Sequence, residues 1–362
     1  MINRIRTQFD NFANKKRAVS YIRIRMNSFL HFSKIILIMK KIILASFCAI
    51  GAFTAYAQSQ TAVPSGQQAE VLFTKEISPE ALVRIYEALG KPATGKVAVK
   101  ISTGEPGGHN FLQPALIQDL VQKVNGTIVE CNTAYQGKRY TTADHEQACK
   151  DHGFTAIAPV DIMDANGEIK IPVADTIHLK YDIVGATLPN YDFMIDLSHF
   201  KGHAMGGFGG ALKNLSIGVA SGNGKTYIHT AGKTADREEI WRNIAEQDHF
   251  LESMAAAAQG VANHFGDKIL YINVMNNMSI DCDCNGHPAN PTIKDIGILA
   301  STDPVALDKA CVDLIYSIKP EEVNDPRALI ERIEQKHGIH TVEHAEKIGL
   351  GTTNYKLVSI DN

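Results

Sequence analysis

The sequence predicts an α/β fold whose sheet is predominantly parallel, with helices on both faces. Three observations predict it. Short apolar runs with strand character recur along the chain, at Val97 to Ile101, Thr127 to Cys131, Phe193 to Leu197 and Ile269 to Val274. Segments of helical periodicity lie between them, as at Leu116, Ile117, Leu120 and Val124. Strand, helix and strand at that spacing make a parallel βαβ unit. No period of 20–50 residues repeats, which excludes a solenoid.

The elements follow in order. Pro79 to Leu89 places Leu82, Ile85 and Leu89 at helical spacing and stops at Gly90. The strand Val97 to Ile101 opens into the loop Gly104-Glu105-Pro106-Gly107-Gly108, then the helix and the second strand. A long helix is expected from about Asp236 to His264, and further strands at Ile296 to Ala300 and Lys356 to Ile360. Asp303-Pro304 and Asp325-Pro326 each offer an N-cap carboxylate before a proline at the first helical position. Leu307, Cys311, Leu314 and Ile318 form the expected buried stripe of the first of these helices.

The front end is different in kind. Met39-Lys40-Lys41, the apolar run Ile42 to Phe53 and Ala55-Tyr56-Ala57 have the three parts of a secretory signal peptide, with cleavage after Ala57. The apolar run is too short to span a bilayer, so no membrane span is expected after cleavage. Residues 1–38 read as an upstream extension, with Met39 as the true start. Residues 58–70 read as a mobile leader and 71–362 as the α/β domain. The expected location is therefore periplasmic or extracellular.

The formal charge of −3 hides an asymmetry, because residues 1–57 carry ten basic groups and one acid, Asp10. The remaining chain holds 26 basic groups against 38 acidic ones. So acidic a body is a poor binder of nucleic acid or anionic lipid. Six cysteines are present, and Cys48 would leave with the signal. Five remain, an odd count that leaves at least one thiol free, metal-bound or paired with another chain. Cys282 and Cys284, one residue apart, are not expected to bridge each other.

Two clusters could carry chemistry. Ser198 to Asn214 follows a strand, at the end where open α/β sheets bind ligands. It holds five glycines, Gly206 and Gly207 among them, that could aim bare N–H groups at an anion. His199 and His203, four apart, would share a face if the segment were helical. Lys213 supplies a cation and Asn214 an amide, the expected catalytic pair. The same residues also fit a glycine-rich turn with two solvated histidines. The second cluster is Asp281-Cys282-Asp283-Cys284-Asn285-Gly286-His287, whose ligand density suits a transition metal or an iron–sulfur cluster, although C-x-C is not the usual zinc spacing. His199, His203, Cys282, Cys284 and His287 are the candidate metal ligands. Gly107, Gly108 and Arg139, with Gly206 and Gly207, are the candidate contacts to a small-molecule anion. Gly218 to Thr226 fails as a phosphate-binding P-loop, since five residues rather than four separate Gly218 from Gly224-Lys225-Thr226.

These residues resemble a known family. Gly104-Glu105-Pro106-Gly107, Cys131-Asn132-Thr133-Ala134-Tyr135-x-Gly137-x-Arg139, His145 and His152-Gly153-Phe154 are similar to the family called domain of unknown function 362. So are His199-Phe200-Lys201-Gly202-His203 with Gly206 to Asn214, and Asp281-Cys282-Asp283-Cys284 with Ser301-Thr302-Asp303-Pro304-Val305-Ala306-Leu307-Asp308. The resemblance covers roughly residues 70–360 and implies the branch described as uncharacterised Fe–S centre proteins. That branch often carries an inserted ferredoxin-like C-x₂-C-x₂-C-x₃-C run, which is absent here. The glycine-rich segment is also locally similar to the cofactor loop of nickel-pincer lactate racemases, a fold-level analogy. The resemblance implies an exported, metal- or Fe–S-dependent protein, with oxidoreductase chemistry among its options. The alternative is a non-catalytic protein that binds a small anion.

Overall fold

The computed structural model describes residues 68–361. The expected upstream extension, signal peptide and first ten residues of the leader lie outside the described residues. In chain order the first elements are β1 (Ala69–Thr74), α1 (Pro79–Ala88), β2 (Val97–Lys100), α2 (Pro114–Lys123) and β3 (Thr127–Glu130). Then come α3 (Thr142–Asp151), α4 (Phe154–Ile157), β4 (Val160–Ile162) and the antiparallel pair β5 (Glu168–Ile171) and β6 (Asp182–Gly185). The central stretch holds β7 (Phe193–His199), the hairpin of β8 (Lys201–His203) and β9 (Gly207–Gly209), α5 (Ala211–Val219), α6 (Gly222–His229) and α7 (Gln247–Phe265). The chain closes with β10 (Ile269–Met275), β11 (Gly297–Ser301), α8 (Pro304–Ser317), α9 (Arg327–Gln335), α10 (Ile339–Lys347) and β12 (Tyr355–Ser359).

Eight strands form one sheet in the order β12-β1-β11-β10-β7-β2-β3-β4. Only β11 runs against its neighbours, β10 and β1; the other pairings are parallel. The predominantly parallel α/β fold expected from the sequence is the one observed. From β2 the chain builds outward through β3 and β4, whereas from β7 it builds the other way through β10. The boundary between β2 and β7 is therefore the topological switch point, where diverging loops open a crevice at the carboxyl ends of the strands.

Side-chain alternation along the strands divides the core into two layers. On one face Val97, Val99, Ile128, Ile195, Leu197 and Ile272 pack with Leu82 and Ile85 of α1 and Ile117 and Leu120 of α2. On the other, Ala98, Val129, Met194 and Tyr271 pack with Leu212 and Leu215 of α5, Ala255 and Ala258 of α7, and Leu307 of α8. Burying each large aliphatic side chain contributes roughly 1.5–3 kcal/mol, so these layers hold the sheet.

Several boundaries move from their expected places, each for a local reason. β1 takes in Ala69 and Glu70, expected in the leader, because both pair with β12. The helix expected from 236 to 264 is interrupted: a 3₁₀ turn at Arg237–Arg242 precedes α7. Arg237 is drawn onto the Tyr140 ring, 3.5 Å from its centroid, and donates to the carbonyls of Thr133 and Tyr140. Asp303 caps α8 as expected, accepting from Val305 N and Ala306 N. At α9 the cap slips by one, with Pro326 at the N-cap and Asp325 accepting from Arg327 N at 3.0 Å. The buried stripe of α8 runs through Leu307, Cys311 and Ile315, with Leu314 and Ile318 only half-buried. His199 ends β7 and His203 lies in β8, so the two histidines share no helical face.

Candidate functional site

At the switch point the strand ends carry charges into the interior. Lys100, the last residue of β2, is buried and donates to Glu130 Oε2 and Asn214 Oδ1, both at 3.0 Å, and to the Ile101 carbonyl. Glu130 also accepts from Thr103 N at 2.8 Å and pairs with Arg139, which bonds Glu105 Oε2 at 3.0 Å. Burial would raise the Glu130 carboxyl, but Lys100 and Arg139 outweigh it and hold it at about 2. Burial would likewise weaken the charge on Arg139, yet Tyr135, Glu130 and Glu105 keep it firmly protonated. The Asn214 amide donates to Lys100 O at 3.0 Å and Asp196 Oδ1 at 2.5 Å. Asn214 therefore ties α5 to β2 and β7, and the amide expected to meet substrate is spent inside the protein. Arg139, expected to hold an anion, already faces two carboxylates.

A second group forms where the β8–β9 hairpin meets the loop after β10. Asp283 is buried between His199 Nδ1, at 2.8 Å, and Lys201 Nζ, at 3.0 Å. Burial would raise its carboxyl, but those two neighbours hold it well below the usual carboxylate range. The Asp283 carbonyl accepts from Glu105 N at 2.7 Å, and Asn285 N closes a turn onto Cys282 O at 2.9 Å. With Asp283 fixed on three sides, Cys282 and Cys284 are brought to a Cα separation of 5.2 Å and form a disulfide. This corrects the expectation that residues so close in sequence stay unbridged: the pinned residue between them supplies the turn that spacing alone does not.

The other expected ligands separate. His199 has both nitrogens in use, Nδ1 on Asp283 and Nε2 donating to Asn276 O at 2.6 Å. His287 is exposed and outside the cluster that brings His203, Cys282 and Cys284 together, their ligand atoms within 4.8 Å of one another. His203 Nδ1 accepts from Gly206 N at 2.7 Å and Met205 N at 3.3 Å, which assigns the ring proton to Nε2. Burial and then the nearby Lys213 push its pKa well below the usual value, so the ring is neutral.

Lys213, in the first turn of α5, lies beside Lys201: a Cβ on Gly209 would sit 3.4 Å from Lys201 Cε and 3.6 Å from Lys213 Cδ. Its amine has no hydrogen bond or ion pair among the described residues. Burial, then Lys201, push its pKa down to about 7.

The glycines do not form the expected anion cradle. A Cβ on Gly107 would meet Gly286 O at 2.7 Å, one on Gly108 Asn285 O at 3.0 Å, and one on Gly202 Ile280 O at 2.2 Å. Gly207, at φ +81°, lies against Gly338, and the Gly206 N–H is taken by His203. At Gly107, Gly108, Gly202 and Gly207 it is the chain's own backbone that comes close. The P-loop-like segment is spent similarly, with Lys225 donating to Ala220 O at 2.6 Å and Cys131 O at 3.3 Å. A separate cleft of about 370 Å³, lined by Asn132, Asp164, Glu168, Asn223 and Arg237, touches that segment at Asn223 but contains none of the candidate site residues.

The stretch from β2 to α8 also matches, over residues 97–313, the family described as Domain of unknown function (DUF362). The chain belongs to this family. The DUF362 match covers every residue of both groups, from Lys100 to Asp283. No curated protein matches the chain. Among solved structures it is similar to the lactate racemase apoprotein from Thermoanaerobacterium thermosaccharolyticum, at 13% identity and TM-score 0.39, over 68% of this chain and 57% of that one. It is also similar to a protein from Thermotoga maritima, at 12% identity and TM-score 0.33, over 76% of this chain and 59% of that one. The chain thus spans under two thirds of either structure.

Sequence reasoning missed the ion-paired residues around this site, Lys100, Glu130, Glu105 and Lys201, and also Asp196, whose carboxyl burial pushes well up. A lysine closing the apolar run Val97-Ala98-Val99 was the one available signal, because a strand buried on both faces has no solvent side for a charge.

Proposed function

We propose that this DUF362 protein is an exported, metal-dependent enzyme that acts on a small anionic substrate at the hairpin-and-disulfide group. One observation carries the reading: the half-buried Lys213 amine, unpartnered and held near neutrality, stands by the neutral His203 and the Cys282–Cys284 pair. A buried cation without a counter-ion is costly, and an anionic ligand would supply the missing charge. A lysine with its pKa near 7 can also take or return a proton at Nζ. The Lys201–Asp283–His199 set holds the cysteine loop in place.

Once an external dithiol reduces the disulfide, being itself oxidised to a disulfide, Cys282 and Cys284 would hold one thiophilic metal ion, with His203 as third ligand through Nδ1 in place of its bonds to Met205 N and Gly206 N. Two thiolates and an imidazole leave a fourth position open, as in catalytic zinc sites, and the ion would supply Lewis acidity there. A four-thiolate iron–sulfur cluster does not fit: among the described residues Cys131, Cys149 and Cys311 are buried free thiols outside the group. Export rests on the Met39 to Ala57 pattern.

The test compares oxidised and reduced protein, purified without a tag and titrated with Co(II). Reduction should add one ion per chain with thiolate charge-transfer absorption, which Cys282→Ser removes. Reduction that adds no ion would refute the metal reading. Stabilisation by a carboxylate or phosphate in chelator, from the oxidised protein alone, would favour the anion-binding alternative.

A further inference from the structure

A second cluster lies away from that site, where α7 and α10 pack side by side. His340 and His344 are one turn apart on α10 and face Glu252 of α7. His340 Nε2 is 3.1 Å from Glu252 Oε1, and His344 Nδ1 is 3.5 Å from the same oxygen. The three ligand atoms lie within 4.8 Å of one another. Ligand atoms about 2.0–2.2 Å from a tetrahedral ion are themselves roughly 3.3 Å apart, so these separations already suit one ion.

The surroundings orient the donors. His344 is buried, and its Nε2 is 2.7 Å from Asp175 Oδ2. Donation to that carboxylate fixes the proton on Nε2 and leaves the Nδ1 lone pair facing Glu252, the carboxylate–histidine arrangement that supports metal ligands. The other oxygen of Glu252 is held by His178 Nε2 at 2.6 Å, and the His178 ring in turn packs on His249 at 4.6 Å. The His340 side chain is 31% exposed, which leaves an entry path from solvent.

We propose that Glu252, His340 and His344 bind a divalent transition-metal ion of the Zn(II) class, with Asp175 and His178 as positioning residues. Two imidazoles and one carboxylate suit that ion's borderline chemistry. The ion clamps α10 to α7. Both histidines lie beyond residues 97–313, so the site is not carried by the part of the chain that defines the family. It fastens the last helix to that part. Gln259, two turns along α7 from Glu252, already bridges to Ile348 O at the far end of α10, so a clamp at Glu252 would secure the opposite end of the same contact.

The experiment uses full-length protein dialysed against chelator, without reductant, so that the Cys282–Cys284 disulfide stays closed. Co(II) titration should give one ion per chain with tetrahedral visible bands and no thiolate charge transfer, displaced by Zn(II), and Zn(II) should raise the melting temperature. His340→Ala, at a half-exposed position, should abolish the bands while the metal-free protein melts as wild type does. Asp175→Asn should weaken binding by about 10–100-fold. Absence of bound ion in the oxidised protein, or bands unchanged in His340→Ala, would overturn the proposal. Neither result bears on the Cys282–Cys284 site, which stays closed throughout.

Discussion

The two buried charge groups at the strand ends differ in one respect. Around Lys100 each charge meets an opposite one or a hydrogen-bonding partner: Lys100 has Glu130 and Asn214, and Arg139 has Glu105 and Glu130. Around Lys213 the pairing stops short, since Lys201 and His199 share Asp283 while the Lys213 amine has no hydrogen bond or ion pair among the described residues. A completed network is a support, and its removal uncovers charges that nothing else neutralises. An incomplete one stores an unfavourable charge that a ligand can relieve. The difference separates scaffold from site without reference to any relative.

The sharpest way to break the comparison is Lys100→Met. It leaves Glu130 with Arg139 as its remaining cation and the Asn214 oxygen unbonded in the core, and should cost about 3–5 kcal/mol in urea unfolding. A variant as stable as wild type would show that the network is not structural. Gly210→Ala comes next. Its Cβ would sit 2.3 Å from Asp308 Oδ1, the carboxylate that accepts from Ala211 N and Leu212 N at the start of α5. Overpacking there should cost about 1–3 kcal/mol by the same measurement, and would displace Lys213 with its helix.

Lys213→Met should act in the opposite direction. Folding lowers this lysine from its ordinary 10.5 to about 7, so between those values the unfolded chain holds a proton that the folded chain has released. On this group's account stability rises with pH across that window, and below pH 7 the folded state carries the full burden of the charged amine. The variant should therefore melt about 2–5 °C higher than wild type below pH 7, with the gap closing toward pH 10.5. It should also lose anion binding. A variant that melts lower at every pH would return Lys213 to the scaffold. The smallest effect is expected from the disulfide. A ring closed across one intervening residue restricts the unfolded chain little, so Cys284→Ser should cost about 1–2 kcal/mol.

Local chemistry was readable where one stretch of chain decides the outcome. Asp303 with Pro304 starts α8 as the spacing predicts, because a cap needs only its own first turn. The short apolar runs marked the strands, and the glycine-rich segment after β7 was placed correctly at a strand's carboxyl end. The roles of single residues in that segment were not readable. Glycine signals only that something comes close, and its sequence does not say whether that is a ligand or Ile280, Gly286 and Gly338 of the same chain.

By itself the sequence determined the alternation of strands and helices, the parallel sheet, the two cysteines in one loop, and the sorting of Lys213 and His203 to the same end of the fold. Those follow from periodicity and chain order, which are properties of neighbours along the chain. Tertiary structure alone decided which polar groups are spent. Asn214 is used up by Lys100 and Asp196, His199 by Asp283 and Asn276, while Lys213 is left over. A hydrogen bond between residues a hundred positions apart depends on where two strands end in space, and each donor can be given only once. The leftover amine of Lys213 is the feature on which the proposed site rests.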